Sequence, residues 1–393
     1  MQRSGTNTSG TGLNPISPNF FGFYVFPNEL MRVQSKQTIW LLSAYRSQSH
    51  AAWADWLVNT FTHINWHTLE LPGRHFRWRI RGNPLSWLHK LPQETPDLIL
   101  ATSMVDLATL KGLHPHLANT PVIYYFHENQ FAYPVSKQQH DSVDPQMVQL
   151  YGAITANRLV FNSNYNRQSF LSGIDKLLSM LPDEVPGNIT NDLRNKSQIL
   201  PVAIKPIKNK QNKTPDLILW NHRWEYDKAP EVFADALIKL NHKGIDFKLA
   251  LLGERPDKTP PALLKIENNF PDKIIINQKV NKEEYQQYLS QSSIVVSTAI
   301  HEFQGLAILE AVSAGAVPLV PDDLCYPEQY ADIYRYKANS SGALTEKLMC
   351  FLNSTPIAPD VSHWYEAGLK SRWSNLLIEQ IPPLVYNTKL NTN

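Results

Sequence analysis

The sequence predicts an α/β protein with two domains, each built around a doubly wound parallel sheet. Short apolar runs typical of buried strands alternate with helical stretches along most of the chain, and this alternation favours parallel sheets covered on both faces. The length of 393 residues exceeds one ordinary hydrophobic core and suits two domains of about 170 residues each. A basic, polar segment near the middle of the chain separates the two halves.

The first predicted domain covers residues 37–204. It opens with a buried strand over Thr38–Leu42, which is followed by a polar loop to His50 and a helix from Ala51 to Thr62. Further strands are expected at 67–71, 98–101, 122–126, 158–161 and 198–202, and helices at 104–113 and 145–156. Because ligands bind at the carboxyl ends of such strands, we expect the polar residues that follow them to form the site.

The second predicted domain covers residues 215–393 and follows a linker at 205–214 that is rich in lysine and asparagine. Its strands are expected at 216–220, 247–252, 273–277, 294–297 and 317–320. A helix from Ser362 to Ile381 is expected to cross back to the first domain. Residues 1–36 are predicted to be a disordered extension, because the first 18 residues are mostly Ser, Thr, Asn and Gly. Met31 is a second candidate for the natural start.

The composition indicates a soluble globular protein of the cytoplasm. A hydrophobic content of 42% is ordinary, and a net charge of +2 indicates neither a strong polyanion binder nor an acidic protein. No run of about 18 apolar residues occurs, so no membrane span is expected. Cys325 and Cys350 cannot supply a disulfide framework or a metal-ligand set, which favours a reducing compartment. The sequence does not determine the oligomeric state.

Residues 301–310 place two carboxylates around a strand-to-helix junction. The helix is expected to begin near Gly305, where unpaired N–H groups and the positive end of the helix dipole suit a phosphate or a sugar hydroxyl. Glu302 in the loop and Glu310, about one and a half turns into the helix, can face one cleft. A helix-starting glutamate and an ordinary solvated glutamate would explain the same pattern equally well.

A second loop, after the predicted strand at 216–220, carries two cations. Arg223 and Lys228 can converge on one anion, with the planar arginine gripping two phosphate oxygens and the lysine acting as a point charge. Solvated loop cations are the commoner outcome for any single pair. Combined with the two-carboxylate turn in the same domain, however, this loop predicts a site for a nucleotide diphosphate-sugar.

A basic segment in the N-terminal half mixes arginine with aromatic residues. Within eight residues it contains four arginines, Arg74, Arg77, Arg79 and Arg81, interleaved with His75, Phe76 and Trp78. Such a segment can meet RNA phosphates and stack on exposed bases. An exposed basic edge strand is the alternative explanation.

These motifs resemble those of retaining glycosyltransferases with the GT-B fold, in which Arg-x4-Lys binds the donor diphosphate and Glu-x7-Glu holds the sugar and the ribose. The N-terminal half resembles the tRNA-queuosine mannosyltransferase family more narrowly, through the segments 75–84, 101–107, 125–131 and 161–163. Residues 220–225 belong to the same signature. The resemblance covers roughly residues 38 to 330.

The resemblance implies two Rossmann-like domains facing a central cleft, which transfer mannose from GDP-mannose to queuosine in tRNA with retention of configuration. It makes His127 and Glu302 the catalytic candidates, both near the reacting sugar. The donor-binding candidates are Arg223, Lys228, Phe303, Gln304, Gly305, Leu306 and Glu310. The acceptor-binding candidates are Ser49, His50, Arg77, Arg79, Arg81, Asn129 and Asn162.

We expect neither a metal nor a cofactor. The chain contains no Asp-x-Asp, and Asp322–Asp323 is a weak substitute, so Arg223, Lys228 and the helix end at Gly305 are expected to neutralise the leaving group. One alternative is transfer to a lipid or polysaccharide, which normally uses a basic amphipathic helix that the helix patterns do not clearly show. Another is an inactive RNA-binding relative, which the intact Arg, Lys and Glu residues disfavour.

Overall fold

The computed structural model describes residues 36–133, 142–207 and 212–379. Most of the predicted extension, residues 208–211 of the predicted linker and the end of the predicted last helix lie outside these ranges. The described chain forms two six-stranded sheets in which every strand pair is parallel, and this confirms the predicted fold class. No helix in the described ranges is long and apolar enough to cross a membrane.

The first sheet has the strand order β2-β1-β3-β4-β5-β6. Its strands are β1 Thr38–Arg46, β2 Asn65–Pro72, β3 Leu98–Thr102, β4 Val122–Phe126, β5 Arg158–Phe161 and β6 Ser197–Ile199. Its helices are α1 Gln48–Thr60, α2 Phe76–Trp87, α3 Leu107–Leu113, α4 Asp144–Thr155, α5 Asn164–Ser179 and α6 Ile189–Asn195. The strand order reverses between β1 and β3, so the loops after these strands open a crevice at the carboxyl edge.

The second sheet has the order β12-β11-β10-β7-β8-β9, which is the Rossmann order with its reversal between β7 and β10. Its strands are β7 Thr214–Trp220, β8 Lys248–Leu251, β9 Ile274–Asn277, β10 Ser292–Val296, β11 Val317–Pro321 and β12 Arg335–Tyr336. The remaining helices are α7 Pro230–His242, α8 Pro261–Asn269, α9 Lys282–Gln291, α10 Leu306–Ser313, α11 Ser341–Asn353 and α12 Glu366–Glu379.

Both faces of the first sheet are covered, as its continuous apolar strands require. Successive residues of β1 enter different cores, with Trp40 and Leu42 in one and Ile39 and Leu41 in the other. The second of these cores includes Trp373 from α12. Helix α12 therefore packs on the first sheet, although it follows the last strand of the second sheet in the sequence.

Residues 76–81 of the basic segment are helical and do not form the edge strand considered as an alternative. They begin α2, in which Ile80, Pro84 and Trp87 recur at helical spacing and are buried. Arginine alternates with histidine and aromatic residues over the first few positions, and this alternation resembles a strand. The apolar residues that define the buried face of the helix follow later in the segment. Ser49 and His50 likewise lie in the first turn of α1 and not in the loop before it.

Candidate active site

The predicted charged residues of the second sheet meet where its strand order reverses. Arg223 and Lys228 lie in the loop after β7, and Glu302 lies in the loop after β10. These strands are direct neighbours in the sheet, so the two loops share one crevice. The structure thus brings together residues that are far apart in the sequence.

Lys228 lies at the centre of a buried ionic cluster. Its Nζ is 3.1 Å from Glu302 Oε2 and 3.2 Å from Asp227 Oδ2, and it donates a hydrogen bond to the carbonyl of His301 at 2.9 Å. Burial lowers the pKa of Lys228, but the two carboxylates more than offset this and raise it. Burial alone would raise the pKa of Glu302, whereas Lys228, and after it His222, lower it to about 2. Lys228 and Glu302 are therefore both charged at neutral pH.

Arg223 occupies the rim of the same crevice, with about half of its side chain exposed. Its guanidinium lies 2.8 Å from Glu225 and 3.9 Å from Asp227. The loop therefore presents one buried cation, Lys228, and one half-exposed cation, Arg223.

Helix α10 begins at the predicted junction. Gly305 precedes it with φ of +66°, a left-handed conformation that favours glycine, and a Cβ there would lie 3.0 Å from the Tyr326 ring. One and a half turns later, Glu310 is half-buried and accepts a hydrogen bond from the Tyr285 hydroxyl at 3.1 Å. Burial raises the pKa of Glu310. Asn221 donates to the Tyr285 hydroxyl at 3.2 Å and to the carbonyl of Ala307 at 2.8 Å.

Three donor candidates lie where the two sheets meet. The Gln304 side chain pairs with the backbone of Val202, accepting from its N–H at 2.9 Å and donating to its carbonyl at 2.8 Å. Gln304 therefore joins the two halves of the protein, and its role in donor binding stays a prediction. Phe303 is buried between the rings of Tyr165 and His301. Leu306 packs against the apolar cores of both sheets.

On the first sheet, His127 follows β4 and lies in a cluster with His50. The two imidazole rings stack with their centroids 4.0 Å apart, and the rings of Trp53 and Tyr125 meet His127 edge-on at 4.8 Å. Glu128 Oε2 is 3.0 Å from His50 Nε2. Burial, and then the neighbouring His50, lower the pKa of His127 well below its usual range, so this ring is neutral.

Two acceptor candidates have structural contacts instead. Asn129 is fully buried, donates to Asn166 and Ser169, and accepts from the N–H groups of Phe131 and Ala132. Asn162 donates to the carbonyl of His127 at 2.8 Å and accepts from Asn166 at 2.8 Å. The contacts of Asn129 use both N–H groups and both oxygen lone pairs of its amide, whereas those of Asn162 use one N–H and one lone pair. The acceptor roles of both residues stay predictions.

The predicted arginines lie on or near the exposed face of α2. Arg77 is exposed, Arg79 is half-buried, and Arg81 pairs with Asp106 at 2.6 Å. Asp106 in turn accepts from the N–H of Thr109 and caps α3. Trp78 lies between the arginines and is 49% exposed, with its indole over Gly82, where a Cβ would come within 2.7 Å of the ring. Ser49 is half-buried beside Ser47, with their hydroxyl oxygens 3.3 Å apart.

Sequence reasoning missed several residues that shape the donor crevice. Asp227 lies inside the Arg223–Lys228 motif, next to Lys228, but the motif itself assigns it no role. Tyr285 has no motif around it, and only the fold brings it to Glu310. Gly253 was also missed. A Cβ there would fall 1.5 Å from the carbonyl oxygen of His222, so the loop after β8 can lie against the β7 loop only with glycine at that position.

Comparison with known proteins agrees with this geometry. The model for group 1 glycosyl transferases matches residues 203–370, and the model for the N-terminal region of tRNA-queuosine alpha-mannosyltransferase matches residues 38–204. A tRNA-queuosine alpha-mannosyltransferase from Drosophila melanogaster is 33% identical over 331 residues, which cover 81% of this chain and 87% of that protein.

Solved structures show the same arrangement of sheets. A sucrose-phosphate synthase from Thermosynechococcus elongatus has a TM-score of 0.66 and 11% identity, covering 87% of this chain and 98% of its own. Anabaena HepE, solved with UDP and glucose, has a TM-score of 0.60 and 12% identity. The match covers 87% of this chain and 99% of the HepE chain.

The fold and the matching domains define a glycosyltransferase with the GT-B fold. Within that class, the identity to the fly protein over most of both chains settles the family. The chain belongs to the tRNA-queuosine alpha-mannosyltransferase family.

Proposed function

We propose that the protein transfers mannose from GDP-mannose to the queuosine nucleoside of a tRNA of the aspartate type, with retention of the anomeric configuration. The observation that carries the proposal is the buried Lys228–Glu302 pair, with half-exposed Arg223 beside it, in a chain of this family. Because tRNA is the acceptor, we place the reaction in the cytoplasm.

In this proposal the second sheet binds the donor. Arg223 and Lys228 hold the diphosphate through charge-assisted hydrogen bonds, and the N-terminus of α10 at Gly305 adds its unpaired N–H groups. Glu302 contacts the sugar and Glu310 the ribose hydroxyls. Fixed positive charges around the departing diphosphate replace a metal ion, since they are in place before the charge develops.

The first sheet supplies the acceptor side. His127 is neutral and buried, and its Nε2 has no hydrogen-bond partner among the described residues, so it can contact the reacting sugar. The exposed face of α2 offers Arg77 and Arg81 for phosphates and Trp78 for stacking on an unpaired base. The departing diphosphate takes the proton of the attacking hydroxyl, so no covalent nucleophile is needed.

The proposal is tested by transfer to tRNA that carries queuosine. Purified protein is incubated with each of a panel of nucleotide sugars and with tRNA that either contains or lacks queuosine. The tRNA is then digested, and the masses of its nucleosides are measured by mass spectrometry. We expect a hexose on queuosine with GDP-mannose alone. Transfer from another nucleotide sugar would overturn the donor, and a modification that does not need queuosine would overturn the acceptor.

A further inference from the structure

The cluster of His50 and Glu128 on the first sheet has no role in the donor chemistry proposed above. His50 lies in the first turn of α1, after β1, and Glu128 lies in the loop after β4. Their side chains meet at 3.0 Å between His50 Nε2 and Glu128 Oε2. Both lie at the carboxyl edge of their sheet, on the side where a substrate would bind.

The hydrogen bond to Glu128 decides which nitrogen of His50 carries the proton. Burial raises the pKa of Glu128, but the charge of His50 and its hydrogen bond outweigh this and lower it, so the carboxylate is ionised and can only accept. Nε2 is therefore the protonated nitrogen, and in the neutral ring Nδ1 keeps its lone pair. His50 is buried, and Nδ1 has no hydrogen-bond partner among the described residues.

An unpartnered buried acceptor is uncommon in a folded protein, because leaving it unsatisfied costs free energy. An imidazole held by a carboxylate on one nitrogen, with the other nitrogen unpartnered, is the arrangement that proteins use to receive a hydroxyl. Here the ring is also held in orientation by its stack on His127. The pair is therefore prepared for a ligand that the described residues do not supply.

Contacts also connect this pair with the donor site. Burial, and then the charge of Glu128, raise the pKa of the Tyr133 hydroxyl. The Tyr133 ring packs against His301 with 4.3 Å between centroids, and the His301 carbonyl accepts from Lys228. His301 thus contacts both Tyr133 and the cation proposed to hold the diphosphate.

We infer that His50 Nδ1 accepts a hydrogen bond from the acceptor hydroxyl that attacks the sugar, and that Glu128 is the positioning residue that fixes the His50 tautomer. This inference rests on the proposed function, since it assigns the hydroxyl to the nucleoside acceptor. His50 holds the bound hydroxyl so that a lone pair of its oxygen points at the anomeric carbon. As the bond from this oxygen to the anomeric carbon forms and the bond to the diphosphate breaks, the hydroxyl gives up its hydrogen bond to His50 and its proton passes to the departing diphosphate. The same two residues would not contact the nucleotide of the donor.

The test replaces the ring nitrogens without removing the ring. His50→Phe keeps an aromatic ring to stack on His127, and we expect kcat/KM for queuosine-containing tRNA to fall about 100-fold, because the attacking hydroxyl loses the group that orients it. Glu128→Gln should cost about 10-fold, the lower range for loss of a residue that orients an imidazole. GDP affinity, measured by calorimetry, should not change in either variant.

A double variant separates this role from a merely structural one. If Glu128 acts only through His50, the variant carrying both substitutions should be no slower than His50→Phe alone, because groups that act as a unit are not additive. His116→Phe is the matched control, since His116 is exposed and precedes β4 at the opposite edge of the same sheet. Should His50→Phe fail to fold, His50→Gln and Glu128→Gln give the same comparison.

The outcomes distinguish this inference from the proposed function. If the parent protein does not modify queuosine in tRNA, the proposed function fails and the role of His50 fails with it. If the parent is active and folded His50→Phe is equally active, only the inference is overturned. Losses that multiply in the double variant, or a loss of GDP affinity, would also contradict it.

Discussion

The carboxyl edges of the two sheets differ in how they use polar residues. Around the second sheet, Lys228 forms ion pairs with Glu302 and Asp227. Around the first sheet, Asn129 and Asn162 form hydrogen bonds with neighbouring loop groups, and the stacked rings of His50 and His127 each keep a nitrogen without a hydrogen-bond partner among the described residues. The first arrangement suits a ligand of fixed high charge, and the second suits an uncharged hydroxyl.

Loss of the buried cation should have the largest effect. Lys228→Ala leaves the carboxylates of Glu302 and Asp227 buried without their partner, and breaking such a cluster typically costs about 3–5 kcal/mol of stability. Denaturant unfolding measures this, and calorimetry should show that GDP binding is lost.

Lys265→Ala is the control for this prediction. Lys265 forms an exposed ion pair with Asp235 at 2.6 Å, so its loss should cost about 1 kcal/mol or less. If the two lysine variants are equally stable, the ionic cluster around Lys228 is not a buried structural unit.

The low pKa of Glu302 predicts sensitivity to acid. Because the pKa is depressed in the folded protein from 4.5 to about 2, the pair contributes stability above about pH 4.5 and loses it as pH falls toward 2. Glu302→Gln should remove this contribution. Stability measured against pH in denaturant should therefore fall less steeply below pH 4.5 in the variant, and parallel curves would rule out the Lys228–Glu302 pairing as its source.

Arg223 should affect the donor and leave stability unchanged. Its side chain is half exposed, so Arg223→Ala strands no buried charge, while it removes a contact to the diphosphate of about 1.5–3 kcal/mol. Calorimetry with GDP measures the loss, and the unfolding curve should match the parent. A stability loss as large as that of Lys228→Ala would show that both cations belong to one structural cluster.

On the first sheet, the arginines of α2 should serve the acceptor alone. Replacing Arg77, Arg79 and Arg81 with Ala should weaken tRNA binding and make it less dependent on salt, because fewer counterions are released. GDP affinity should stay the same. Circular dichroism must accompany the test, since Arg81 also pairs with Asp106, the cap of α3. If the folded variant binds tRNA as tightly as the parent at several salt concentrations, the arginines of α2 do not contribute to tRNA binding.

Sequence reasoning was most successful where a single strand-to-helix junction determines the geometry. Gly305 and Glu310 lie on consecutive turns of one helix, so their spacing alone predicts their arrangement. His50 and Glu128 are 78 residues apart and meet only because the loops after β1 and β4 reach the same edge, which depends on strand order. The acceptor roles of Asn129 and Asn162 stay predictions, because an asparagine after a strand can equally satisfy nearby backbone groups, as both do here.

Of these changes, removal of divalent metals should have the smallest effect on transfer activity, and we expect no loss. Within the described ranges, no group of three or more His, Cys, Asp or Glu side chains could hold a metal ion, and Asp322 pairs with Arg335 at 2.8 Å. The positive charge that the leaving diphosphate requires comes instead from Lys228, Arg223 and the start of α10. Transfer measured in EDTA should therefore equal transfer without it, and added magnesium or manganese should not increase the rate. Activity that is lost in EDTA and restored by either ion would show that Lys228 and Arg223 do not suffice to neutralise the leaving diphosphate. The second sheet would then bind its donor with the help of a metal ion.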